Sequence, residues 1–89
     1  MSNPYTETRD ENFILREFAE DVDDRELVWH RDRKERVVIP LICDGWCYQK
    51  DNNVPVEMEP YTAFVIEKGV YHRIIKGSGR LVVKIIEGG

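Results

Sequence analysis

The feature that most restricts this chain is a recurrence of short β-rich runs, each about four to eight residues long and closed by a turn-forming cluster. Asp44-Gly45, Asp51-Asn52-Asn53, Gly69 and Gly77-Ser78-Gly79 punctuate the sequence after residue 26. Between them lie Leu27 to Asp32, Arg36 to Cys43, Trp46 to Lys50, Val54 to Met58, Ala63 to Ile66, Tyr71 to Lys76 and Arg80 to Glu87. Six or seven short strands spaced in this way predict an all-β protein, a small antiparallel sandwich or barrel. The 89 residues make one domain, and a chain of that size buries only a little over ~60% of its unfolded surface.

The centre of the pattern is Pro60 to Arg73. Ala63 to Ile66 is a continuous apolar run, which predicts a strand covered on both faces. Gly69 then supplies the positive φ that a tight turn needs, and the turn delivers His72 to the start of the next strand. Two hairpins are expected around it. One folds Arg36 to Cys43 onto Trp46 to Lys50 across Asp44-Gly45, and one folds Tyr71 to Lys76 onto Arg80 to Glu87 across Gly77-Ser78-Gly79. Pro40 cannot donate to a ladder, so it must sit at a bulge or an edge. In the last strand Leu81, Val83 and Ile85 share the core face. Val82 and Ile86 flank Lys84 on the other, a face apolar enough that a homodimer is expected to cover it.

The first 25 residues read differently. Residues 1–11 are polar, and the segment around Phe13, Ile14, Leu15 and Phe18 fits a short helical turn capped by Asn12 as well as it fits a strand. Glu20 to Glu26 is acidic and reads as a solvated connection. The expected organisation is therefore a short irregular or helical N-terminal arm and connection over 1–25, followed by the β unit over 26–89. The net charge of −4 argues against a nucleic-acid or anionic-membrane binder. The longest apolar stretch, Val37 to Cys43, is too short to span a bilayer, and the opening residues carry no secretory pattern, so a cytoplasmic protein is expected. Cys43 and Cys47 do not match a zinc spacing and are expected to be free thiols.

Chemistry concentrates on few residues. On an extended segment His30 and Asp32 share a face, so an imidazole and a carboxylate can converge on one ion, and His72 brings a second imidazole. His30-x-Asp32, Glu35, the turn near Gly45, and Pro60 through Gly69-x-x-His72 together resemble the two-motif layout of the cupin family, over residues 26–87. That resemblance implies a small cupin-type β-barrel or jelly roll with a metal site of His30, Asp32 and His72. Asp32 stands where the family has a second histidine, and Tyr61-Thr62 where it has Gly-Asp. At the family's glutamate spacing this chain has Arg36, with Glu35 one residue away; either the loop shifts to bring Glu35 inward as a fourth ligand, or the site carries a guanidinium.

Two imidazoles and one carboxylate suit a divalent transition metal such as Fe, Mn, Ni or Zn and leave coordination positions open. The expected function is a small metal-binding cupin that acts on or binds a small organic molecule, as a non-haem dioxygenase or an isomerase. Two other readings stand beside it. One is a non-catalytic ligand-binding or regulatory module in which Arg36 receives an anion through bidentate hydrogen bonding. The other is a dimeric scaffold without metal. Trp46 and Tyr48 are candidates to contact the ligand as well as to pack the core, and Gln49 is a candidate to orient a ligand histidine.

Overall fold

The computed structural model describes residues 3–88. It has eight strands among them: β1 (Thr6–Arg9), β2 (Ile14–Phe18), β3 (Arg36–Ile42), β4 (Cys47–Lys50), β5 (Val56–Glu57), β6 (Phe64–Ile66), β7 (His72–Ile75) and β8 (Leu81–Glu87). They form a five-stranded sheet in the order β1-β2-β8-β3-β6 and a three-stranded sheet in the order β5-β4-β7. Every pairing is antiparallel. Side chains from both sheets meet in one core, and the sheets do not close on each other, so the architecture is a jelly-roll sandwich open at its edges.

The core follows from alternation along the strands. In β8, Leu81, Val83 and Ile85 are buried on the inner face as expected. They lie across from Ile14 and Phe18 of β2 and from Val38 and Pro40 of β3, and each such aliphatic side chain contributes roughly 1.5–3 kcal/mol by leaving water. Trp46 is fully buried, and its indole N–H donates to the Gly79 carbonyl at 3.3 Å. On the outer face of β8 the chain itself covers Val82, while Ile86 is exposed. The Lys84 ammonium sits 4.5 Å from the Phe13 ring centroid.

Pro40 lies at a register shift in the β3–β8 ladder, the bulge its missing N–H requires. Asn52, with φ +61, turns β4 back onto β5. Cys43 and Cys47 are free. Among the described residues no helix is long and apolar enough to cross a membrane.

Four expectations need correction. The N-terminal segment is neither irregular nor helical where it matters: Ile14–Phe18 is a strand paired to β8, and Thr6–Arg9, within the arm expected to be irregular, pairs to it in turn. Burial of Ile14 and Phe18 decides between two local patterns that the sequence fits equally. Leu27 to Asp32 is not a strand; one 3-10 turn over Asp24–Glu26 leads into an extended stretch with a single bridge, His30 to His72.

The two expected hairpins are sheet-to-sheet crossings, because β3 and β8 lie in one sheet while β4 and β7 lie in the other. The turn chemistry is present, with Gly45 at φ +74 and Trp46 N–H on the Cys43 carbonyl at 3.0 Å, but a turn signal fixes a reversal and not the sheet that receives the next strand. The two crossings lock together, Ser78 N–H donating to the Asp44 carbonyl at 2.8 Å, and a Cβ on Gly77 would lie 2.3 Å from Gly45 C. Lastly, β6 is covered on one face only, with Ile66 buried and Val65 exposed. It is an edge strand of the larger sheet.

Candidate metal centre

Backbone hydrogen bonds assemble the site. Gly69, at φ +78, makes the turn after β6 and places His72 first in β7. His30 and His72 face each other through a reciprocal pair, His30 N–H to the His72 carbonyl at 3.0 Å and His72 N–H to the His30 carbonyl at 2.8 Å. Gly69 N–H donates to the Asp32 carbonyl at 2.9 Å. These three bonds fasten the extended stretch carrying His30 and Asp32 to the turn that carries His72, and the imidazole rings end 4.3 Å apart.

The sequence-expected convergence is present: ligand atoms of His30, Asp32 and His72 all lie within 4.8 Å of one another. His72 Nε2 is 3.3 Å from Asp32 Oδ2, and His30 Nε2 is 3.9 Å from Asp32 Oδ1. Metal–ligand bonds of ~2.1 Å place neighbouring donor atoms about 3.0–3.4 Å apart for right-angle to tetrahedral geometry, so the His72–Asp32 spacing matches and the His30–Asp32 spacing needs a small closure.

The tautomers fit as well. Each Nδ1 sits against a carbonyl two residues back, His30 on Val28 at 3.0 Å and His72 on Val70 at 2.9 Å. A carbonyl only accepts, so Nδ1 carries the proton and Nε2 presents its lone pair. That leaves two acceptors, His72 Nε2 and Asp32 Oδ2, facing each other, and Asp32 Oδ2 is buried without a donor. A proton on Nε2 would resolve this, but burial above all pushes the His72 pKa down, with His30 and Arg36 acting the same way against the Val70 carbonyl and Asp32. A bound cation resolves it without that cost. The residues present fit a divalent metal.

No family model and no curated protein matches the sequence; the likeness to known proteins lies in the backbone. A cupin domain from Bordetella pertussis Tohama I superposes with a TM-score of 0.63 at 21% identity, covering 100% of this chain and 99% of that one. The fold is a cupin fold.

Larger cupin neighbours include a DMSP lyase (TM-score 0.73, 12% identity, 86% of this chain and 37% of that one) and Fe(II) HppE (TM-score 0.67, 10% identity, 85% of this chain and 41% of that one). This chain therefore spans well under half the length of either. Beside the His and Asp cluster of this chain, a cavity of about 320 Å³ opens between the sheets, walled by such residues as Phe18, Val38, Met58, Ile66, Leu81 and Val83.

Of the two residues competing for the fourth position, Arg36 turns inward and Glu35 is exposed, outside the cluster. Arg36 Nη2 donates to Glu87 Oε2 at 3.0 Å, and Nη1 is 3.7 Å from Asp32 Oδ1. Tyr48 lines the cavity, stacked on Phe64 with ring centroids 3.8 Å apart. Trp46 lies in the core away from the cavity wall. Gln49 is also away from the site, bridging Arg73 Nε and the Asn53 carbonyl at 2.9 Å each.

Two groups, one beside Arg36 and one on the cavity wall, were not singled out in the sequence. Glu87 carries a readable signal, since the alternation that turns Leu81, Val83 and Ile85 inward turns Glu87 inward too, directly across from Arg36. Arg16 had none, because its role depends on β2 joining the sheet. It lines the cavity, lies 3.9 Å from the Tyr5 ring centroid and is held by Glu7 at 2.8 Å.

Proposed function

We propose that this cupin binds one divalent transition-metal ion, Fe, Mn, Ni or Zn, through His30 Nε2, Asp32 and His72 Nε2, and acts on a small organic molecule held in the adjoining cavity, as a dioxygenase or isomerase. The observation that carries the reading is the convergence of two imidazole Nε2 atoms on the Asp32 carboxylate, whose buried Oδ2, facing His72, has no hydrogen-bond donor. When bound, such an ion supplies Lewis acidity and open coordination positions.

The chain's own residues do the rest. The Val28 and Val70 carbonyls fix the two rings. The apolar wall excludes water and accepts the body of the substrate. The Fe(II) named for HppE makes iron the first metal to try. A second reading, a metal-free module that binds an anion at Arg36, is favoured by the guanidinium standing beside Asp32.

Elemental analysis of the purified protein and of its His72→Ala variant, both from cells supplied with iron and manganese, separates the two. A stoichiometric ion in the wild type and background in the variant is expected. No metal in either removes the metal reading and leaves the anion module.

A further inference from the structure

We infer that the small molecule taken by this site is a carboxylate, whose acid group is received by Arg36 while its apolar body lies in the cavity; the inference rests on the metal reading above. Arg36 is one of two part-buried cations at the wall of a mostly apolar cavity, with Arg16 the other. Among the described residues only its Nη2 is hydrogen-bonded, to Glu87. Nη1 is beyond hydrogen-bond reach of Asp32, and Nε is buried with no partner. Three nitrogens in a planar fork with one acceptor among them are under-used, and a carboxylate is the acceptor whose two oxygens match that fork.

Charge points the same way. Asp32 and Glu87 contribute two negative charges against Arg36 and the exposed Arg9, which lies 3.9 Å from Glu87, and histidines that hold an ion through Nε2 add no charge, so the cluster is close to balanced before an ion binds. A divalent ion leaves it positive, which an incoming carboxylate offsets inside low-dielectric walls. Arg16, the other guanidinium at the cavity, is already held by both Nε and Nη2 on Glu7, at 3.0 and 2.8 Å. Arg36 is the one with capacity to spare. Glu87 acts as the resident counterion that the incoming carboxylate displaces or shares.

The test is calorimetric binding of benzoate and hexanoate beside their neutral amides, benzamide and hexanamide, to protein loaded with manganese, with metal content measured on the same samples. Each acid is expected to bind more tightly than its amide, and Arg36→Gln to remove roughly a tenfold to hundredfold preference, the usual weight of a charged hydrogen-bonded contact. Glu87→Gln, which frees Arg36, is expected to tighten the acids and leave the amides unchanged. Metal-loaded wild type that binds no acid more tightly than its amide overturns the inference, and so does a preference that survives Arg36→Gln. A sample that takes up no manganese removes the metal reading and this inference with it, and the metal assay tells that failure from the others.

Discussion

His30 and His72 hold their rings by the same device and live in opposite surroundings. Each Nδ1 donates to the carbonyl two residues back, and each backbone bonds the other. Yet the His72 side chain is 8% exposed and begins a strand of the smaller sheet, whereas the His30 side chain is 49% exposed on a stretch whose sheet pairing is one bridge. The difference teaches that one half of the site is part of the fold and the other is hung on it. Ligand function should therefore be shared by the two histidines, and structural weight should not.

The largest effect expected is on metal affinity. His30→Ala, Asp32→Ala and His72→Ala should each weaken binding by more than the ~10–100-fold typical of losing an outer-sphere partner, measured by competition with a chelating dye. An ion at ~100 times its dissociation constant adds about 2.7 kcal/mol to the wild type, a rise of roughly 10–20 °C in Tm for a chain of this size. None of the three variants should show that rise. If His30→Ala keeps it, the exposed histidine is not a ligand and the comparison breaks.

Without metal the two histidines should separate. Denaturant unfolding of metal-free His72→Ala is expected to show a loss of about 1–3 kcal/mol, because a buried group is removed and the Val70 carbonyl loses its donor. His30→Ala should stay within ~0.5 kcal/mol of wild type, as surface changes do. Equal losses would mean that the outer stretch is as structural as the inner one.

The turns on either side of β6 sharpen the point, since the second leads directly to His72. Gly69→Ala meets no atom within 4 Å, so its cost is the positive φ alone, about 1–2 kcal/mol. Tyr61 already bears that cost, with φ +64 and its side chain in solvent. Tyr61→Gly is accordingly expected to stabilise the protein by up to ~1 kcal/mol in the same unfolding assay.

The smallest effect is a pH slope. The His72 pKa lies below its unfolded value, mainly through desolvation, so between the two values the unfolded chain binds more protons than the folded one. Stability of the metal-free protein should be complete above the unfolded histidine pKa of ~6.5 and decline as pH falls toward the folded value. The decline should be shallower in His72→Ala, and an unchanged slope there would mean that His72 is not the group responsible.

The sandwich was legible because alternation and turn chemistry are local: Leu81, Val83 and Ile85 declare a core face, and Pro40 declares its bulge. The crossings at Asp44-Gly45 and Gly77-Ser78-Gly79 were not, since choosing a sheet depends on contacts between turns far apart in sequence. The three ligands could be read because an extended backbone puts His30 and Asp32 on one face and Gly69 aims His72. What brings them together is not a strand at Leu27 to Asp32, however, but one bridge and one hydrogen bond to Gly69. Whether Glu35 or Arg36 faced inward hung on a one-residue register, which pairing Arg36 with Glu87 fixes in favour of the guanidinium.

An anomalous-difference map from a crystal of the iron-loaded protein examines the central claim most directly. One peak per chain is expected, within bonding distance of His30 Nε2, an Asp32 carboxylate oxygen and His72 Nε2. Iron held elsewhere on the chain, or a peak that touches His72 and leaves His30 and Asp32 unbound, would contradict the account.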